Sequence, residues 1–294
     1  MSDMTKDGKK IILVTGGAGF IGSNLIEKLV AEGKSEVYSL DNYFTGKKEN
    51  HIDGATYIEG DTKNIEKLIN FVPDLIYHLG EYSRVEQSFS DMPLVWEYNK
   101  DGTFAVLEFC RKHNIKIVYA GSSTKFGDGG LGRDQSPYAW TKASNTELVR
   151  NYGVWFGLQY AITYFYNVYG PREISTGPYA TLIALFKEKH KKGEPFTVVS
   201  PGTQVRNFTH VDDIVRGLML VGEKGAGDDY GLGSEDGYSI LDIANAFGGE
   251  VVMLPERKGN RMSASIDFTR SRGELGWRAE IKVLDHIKEF IASL

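Results

Sequence analysis

The first half of the chain alternates short apolar runs with longer stretches of helical spacing. Residues 11–15 form a continuous apolar run that stops at a glycine. Over residues 20–31, Ile21, Leu25, Ile26 and Leu29 share one helix face. Further strands are predicted over 37–40, ending at Asp41, over 55–58, just before Asp61, and over 74–79. A long helix is predicted over 93–113, a strand over 116–120, a helix over 138–155 and a strand over 159–164. Strands that alternate with helices predict βαβ units and a parallel sheet.

From Gly170 onward the pattern loosens. Gly170-Pro171, Gly177-Pro178, Pro201-Gly202 and the glycine-rich stretch 225–237 read as turns. Helices are expected over 179–191, 211–221 and 283–291. This second part reads as a smaller lobe whose segments cross back to the sheet. No linker, internal repeat or low-complexity segment is visible.

Composition narrows the class of partner. The chain has 294 residues, 41% of them apolar, enough for a sizeable core. Its net charge of −5 argues against nucleic acid, which selects a basic footprint. Cys110 is the single cysteine, so no intrachain disulfide and no cysteine-based metal site can form. The histidines, His210 among them, show no metal-ligand grouping, and no metal is expected. The polar first ten residues carry no signal-peptide pattern, and no apolar stretch is long enough to span a membrane. The expected location is the cytoplasm.

The strongest local signal is Thr15-Gly16-Gly17-Ala18-Gly19-Phe20-Ile21-Gly22, which follows a strand and opens a helix. That context suits a dinucleotide. Gly16 permits the tight turn, Gly19 lets backbone approach a pyrophosphate, and Gly22 lets helix pack closely on strand. The helix N-terminus offers free N–H groups to phosphate. The spacing is G-x-x-G-x-x-G rather than the commoner G-x-G-x-x-G. Asp41, at the end of the second strand, suits a ribose 2′-hydroxyl and repels a 2′-phosphate, which favours NAD over NADP. Lys47 and Lys48 read as solvated loop charges. Asp61 either meets the adenine or caps a helix.

Tyr138 and Lys142 stand four apart at the start of a predicted helix, on one face. A nearby ammonium and an oxidised nicotinamide both favour phenolate. Lowering a tyrosine pKa by about three units takes ~4 kcal/mol, which two close positive charges can supply. Ser122 and Ser123 follow the fifth strand, at the sheet edge where α/β proteins bind ligands. As an isolated match the Tyr-x-x-x-Lys pair would read as a surface pair, because the chain has 16 tyrosines. Its order behind the glycine turn, the acidic strand end and the serine pair gives it weight.

These motifs, with Asp41-Asn42-Tyr43-Phe44-Thr45-Gly46, Tyr166-Asn167-Val168-Tyr169-Gly170-Pro171-Arg172 and Arg206-Asn207-Phe208-Thr209-His210-Val211-Asp212-Asp213, occur in the order of one family. From Lys10 onward the chain resembles an extended short-chain dehydrogenase/reductase of the NAD-dependent nucleotide-sugar epimerase/dehydratase family. The resemblance implies a Rossmann fold, a doubly wound parallel sheet, over 1–169. It implies a smaller, mainly nucleotide-sugar-binding lobe over 170–294. It also implies a homodimer through the helices over 93–113 and 138–155. It implies that Tyr138 is the base, that Lys142 holds the nicotinamide ribose, and that Ser122 orients a sugar hydroxyl. Phe20, Ile21, Asn42, Thr62, Leu79 and Asn99 join the glycines, Asp41 and Asp61 as cofactor contacts. Ser123, Thr124 and Asn167 join Ser122 on the substrate. Arg206 and Arg257 match the family arginines that hold the diphosphate, and guanidinium forks suit phosphate oxygens. Asp212 and Asp213 read as a helix N-terminus that positions the lobe.

Within the family, 4,6-dehydratases carry an Asp-Glu pair after the catalytic hydroxyl residue, and decarboxylases carry a glutamate at the second position. Here those positions are Ser123 and Thr124, neither a useful acid or base. A 4-epimerase needs neither, so a UDP-glucose 4-epimerase-like reaction through a 4-keto sugar fits best. Other expectations are a dehydratase, a 4-keto reductase, a dehydrogenase or a non-catalytic NAD-binding protein. The chain departs from the family pattern in a short segment between Gly127 and Tyr138, and in Lys125 and Phe126. It departs again at Glu81 and Tyr82, which are candidates for a second proton transfer at C3 or C5. The alternative for Glu81 is a pair with Arg84 or Lys125.

Overall fold

A computed structural model describes residues 8–126, 128–256 and 267–294. The apolar run after Lys9 forms β1 (Lys10–Thr15) and leads into α1 (Phe20–Glu32). Next come β2 (Ser35–Asp41), β3 (Ala55–Glu59), a short α2 (Ile65–Leu68) and β4 (Leu75–His78). The helical run α3 (Met92–Val95), a π-helical segment (Trp96–Asp101) and α4 (Gly102–His113) leads to β5 (Lys116–Ser122). α5 (Pro137–Phe156), β6 (Tyr160–Phe165) and β7 (Val168–Tyr169) complete the first part.

The second part holds α6 (Leu182–Lys192), β8 (Phe196–Val199), β9 (Val205–Arg206), β10 (Thr209–His210) and α7 (Val211–Lys224). It continues with β11 (Gly227–Leu232), β12 (Tyr238–Ser239), α8 (Ile240–Phe247) and β13 (Val251–Leu254). α9 (Thr269–Gly273) and α10 (Val283–Ala292) end the described chain.

Seven parallel strands form the central sheet in the order β11-β6-β5-β4-β1-β2-β3. The order reverses direction at β1 and β4, the switch point of a doubly wound Rossmann sheet. Period-2 alternation along β1 sends Ile12 and Val14 to one face and Leu13 to the other. On the first face they pack with Leu25 and Ile26 of α1 and Leu218 of α7. On the second, Leu13 shares a core with Leu107 of α4 and Val149 of α5. A third core, built on Phe186, Phe196, Phe247 and Ile287, holds the smaller lobe together.

The structure corrects several sequence expectations. The helix over 93–113 is one helical run, but six residues of it are π-helical. That wider turn carries Asn99, which is fully buried. The helix expected over 179–191 starts only at Leu182, because Tyr179 faces Arg84 and Asp91 instead. The stretch 225–237, read as turns, contains β11: Tyr230 and Leu232 are apolar enough to close the sheet edge despite the surrounding glycines. α8 was not anticipated; it starts at a capping box between Ser239 and Asp242. Beyond position 170, β11 pairs with β6 at the sheet edge and α7 packs on one sheet face, the crossing back that the sequence suggests.

Candidate active site

The carboxyl ends of β1, β2, β4, β5 and β6 open on one cleft of about 480 Å³. The glycine turn forms its floor. Gly16 sits at φ +72°, in the left-handed region, and a Cβ there would stand 2.8 Å from Gly80 Cα. A Cβ on Gly22 would stand 2.1 Å from the Gly16 carbonyl oxygen. These close approaches pull the N-terminus of α1 against the strand ends. No side chain caps that terminus, so its N–H groups stay open to an anion. Asp41 Oδ2 accepts from Ala18 N at 2.9 Å and Oδ1 from Tyr43 N at 2.7 Å, and burial pushes its pKa up. This cradle of backbone and one carboxylate fits NAD.

Gly19, Phe20, Ile21, Asn42, Thr62 and Leu79 also line the cleft. Asp61 and Asn99 do not. Asp61 accepts from Asn42 Nδ2 at 2.6 Å and supplies no side-chain cap to the turn that follows it. Asn99 stands behind the wall, bonded to Tyr82 and to Thr141 Oγ1.

The Tyr138–Lys142 pair is set by the start of α5. Ser136 Oγ caps the helix by accepting from Ala139 N at 3.1 Å, and Pro137 opens it. Tyr138 and Lys142 therefore lie one turn apart on the face that lines the cleft. The Tyr138 hydroxyl donates to Ser122 Oγ at 3.2 Å, and Ser122 Oγ meets Thr124 Oγ1 at 2.9 Å. Ser123 and Asn167 line the same cleft. Arg206 lies outside it, on β9, where Nη1 donates to the Val205 carbonyl. Arg257 and Gly127 lie outside the described residues, as does the side chain of Lys125.

Glu81 pairs with Lys142 rather than with Arg84. It accepts from Lys142 Nζ, which also donates to the Ala120 carbonyl. Glu81 Oε1 accepts from Thr103 Oγ1 at 2.8 Å, Asn145 Nδ2 at 3.0 Å and the Tyr119 hydroxyl at 3.1 Å. Burial alone would push the Glu81 carboxyl up, but the Lys142 ammonium beside it holds it below the usual carboxylate range. Sequence reading singled out Glu81 but missed its partner, because 61 residues separate it from Lys142. It missed Glu173 as a cleft residue altogether, and placed Arg84 only as a partner for Glu81. Arg84 donates through Nε and Nη2 to the Tyr179 carbonyl. Tyr82 donates to Asp91 Oδ2 at 2.7 Å, and burial raises its pKa further from that of a useful base.

The network continues inward. Thr103 spends its proton on Glu81, so His78 Nε2, 3.0 Å away, donates to Thr103 Oγ1. His78 Nδ1 then accepts from Thr15 Oγ1 at 2.7 Å, which assigns the neutral Nε2–H tautomer. Thr15 Oγ1 in turn accepts from Leu79 N and Gly80 N. The β1 end, the β4 end and the Glu81 carboxylate thus share one chain of hydrogen bonds.

Burial lowers the His78 pKa from 6.5 to about 4. Between those values the unfolded chain binds a proton that the folded chain refuses, so stability falls as pH drops from 6.5 towards 4. The depression corresponds to about 3 kcal/mol. Urea unfolding across this window is expected to show the loss, and His78→Asn should remove about that share of the slope. An unchanged slope in the variant would assign the loss to other groups.

A Rossmann cleft with a glycine cradle at its floor and Ser122, Tyr138 and Lys142 on its wall is the site of an NAD-dependent enzyme class. The profile of the NAD dependent epimerase/dehydratase family matches residues 12–233. The chain belongs to that family, and NAD is its cofactor. It is 32% identical to a putative UDP-glucose 4-epimerase of Methanocaldococcus jannaschii, over 96% of this chain and 97% of that one. It is also 32% identical to a UDP-N-acetyl-alpha-D-glucosaminuronate decarboxylase of Bacillus cytotoxicus, over 80% of this chain and 78% of the other. The UDP-glucose 4-epimerase of Thermotoga maritima, solved with UDP-glucose, matches with a TM-score of 0.89 at 28% identity. That match covers 96% of this chain and 99% of the other. Among the described residues no helix is long and apolar enough to cross a membrane, and no cluster could hold a metal ion.

Proposed function

We propose that this enzyme epimerises a nucleoside diphosphate sugar at C4 through a 4-keto intermediate. One observation carries the reading. Tyr138 meets Ser122 in the cleft, while the two following positions offer only the hydroxyls of Ser123 and Thr124. Bound NAD supplies an acceptor for the C4 hydride and returns it. Ser122 orients the C4 hydroxyl, and Tyr138 takes its proton as the carbonyl forms. Lys142 holds the nicotinamide ribose. Ser123 and Thr124 are small enough to let the keto sugar turn its other C4 face to the cofactor, and Tyr138 returns the proton to the C4 oxygen as the hydride comes back to that face.

Elimination or decarboxylation at a neighbouring carbon asks for a further acid or base. Glu81 is committed to Lys142 and Tyr82 to Asp91, so neither serves that role here. Asn167 and Arg206 are assigned to the nucleotide diphosphate, with Arg257 as a third contact from sequence. Purified protein, supplied with NAD and offered a panel of NDP-hexoses, should convert one pair into each other. Conversion of none would remove the reading.

The proposed assembly is a homodimer. Trp96, Phe104, Trp140, Trp155 and Phe156 are exposed large apolar side chains on the helices expected to pair. Trp96 and Trp140 stack at 6.1 Å between ring centroids. An apolar patch of this kind suits a second copy of the chain. Sedimentation should give a dimer, and Phe104→Lys should give a monomer at the same concentration. A wild-type monomer would contradict the assignment.

A further inference from the structure

Glu81 is a buried carboxylate that the proposed chemistry leaves unused. Its side chain is 4% exposed and that of Lys142 is 5% exposed. Either charge alone would be costly to bury, and each compensates the other. Three further donors fix the carboxylate from three elements: Thr103 on α4, Tyr119 on β5 and Asn145 on α5. Asn145 Oδ1 in turn accepts from Lys100 Nζ at 2.8 Å. Glu81 also follows Gly80, which packs against Gly16 of the cofactor cradle.

We propose that Glu81 is a positioning residue that pins the Lys142 ammonium and balances its charge, which keeps the bound cofactor oxidised between turnovers. The proposal rests on the reading that Lys142 stands beside the nicotinamide ribose. An oxidised nicotinamide ring carries a positive charge and a reduced ring carries none. A lone ammonium next to it therefore favours the reduced form. A neutral Lys142–Glu81 pair removes that bias. Arg84 is the other basic side chain lining the cleft among the described residues, and its guanidinium is turned to the Tyr179 and Ser83 carbonyls. Of the other carboxylates lining the cleft, Glu173 accepts from Gly170 N and Thr181 Oγ1 and Asp41 from Ala18 N and Tyr43 N, so the one paired with Lys142 is Glu81.

Competition between the two redox forms tests this without any sugar. Holoenzyme is equilibrated with excess equimolar NAD⁺ and NADH and gel-filtered, and the bound fraction of each is read by absorbance. Glu81→Gln should lower the bound NAD⁺ to NADH ratio by about tenfold, equivalent to about 30 mV for a two-electron couple. Glu81→Asp keeps the charge and should retain most of the wild-type ratio. Lys142→Gln leaves the carboxylate without its ammonium and should raise the ratio; it also decides the matter if the Glu81→Gln protein does not fold. An unchanged ratio in Glu81→Gln, an equal fall in Glu81→Asp, or no rise in Lys142→Gln would overturn the proposal. Because no sugar takes part, failure of the epimerase reading leaves this result standing, and the reverse holds.

Discussion

Tyr138→Phe is expected to lower kcat by about 10²- to 10⁴-fold, the usual contribution of a positioned acid–base group. The substitution removes one oxygen, and the ring keeps its place in the first turn of α5, behind the Ser136 cap. The hydroxyl's bond is to Ser122 Oγ at 3.2 Å, so little folding energy is lost with it. NAD binding should survive, because the glycine turn and Asp41 are untouched. Ser122→Ala removes an orienting hydroxyl rather than the base, and should cost only about tenfold. Steady-state kinetics on the productive sugar pair, beside cofactor content, reads both. Wild-type turnover in the phenylalanine variant would remove Tyr138 from the chemistry.

The second large effect is expected at Gly22. An alanine there would place Cβ 2.1 Å from Gly16 O and 2.9 Å from Gly17 Cα, both backbone atoms. No rotamer change can relieve that contact, so the turn must open or α1 must shift. Such overpacking costs typically 1–3 kcal/mol in stability. The displaced N–H groups should weaken NAD binding by about a hundredfold, equivalent to about 3 kcal/mol. Gly273→Ala is the control, because its Cβ meets nothing within 4 Å. Calorimetric titration with NAD compares the two. Equal affinities would mean that the cradle is not where the cofactor binds.

Much of the first half was legible because its signals are local. The apolar run before Gly16, the period of α1 and the acid at the end of β2 each report on their own segment. The Tyr-x-x-x-Lys pair was legible for the same reason, since one helix turn sets its geometry. What escaped was non-local or depended on packing. The Glu81–Lys142 pair joins a residue beyond β4 to one on α5, and nothing in either segment names the other. β11 hid behind glycines, because its strand character comes from pairing with β6 rather than from its own composition. The π-helical segment keeps helical spacing on average, so periodicity reads straight through it. Arg206 shows the converse. Its motif was plain in sequence, yet its side chain does not line the cleft.

The central claim is that a proton and a hydride leave the sugar at one position and return to that position. The most direct measurement is turnover of the productive NDP-sugar in deuterated water, followed by mass and proton analysis of recovered sugars. The account predicts a mixture of C4 epimers with no deuterium on any carbon and no net NADH. Deuterium at C3 or C5, loss of water or carbon dioxide, or accumulation of NADH would contradict it.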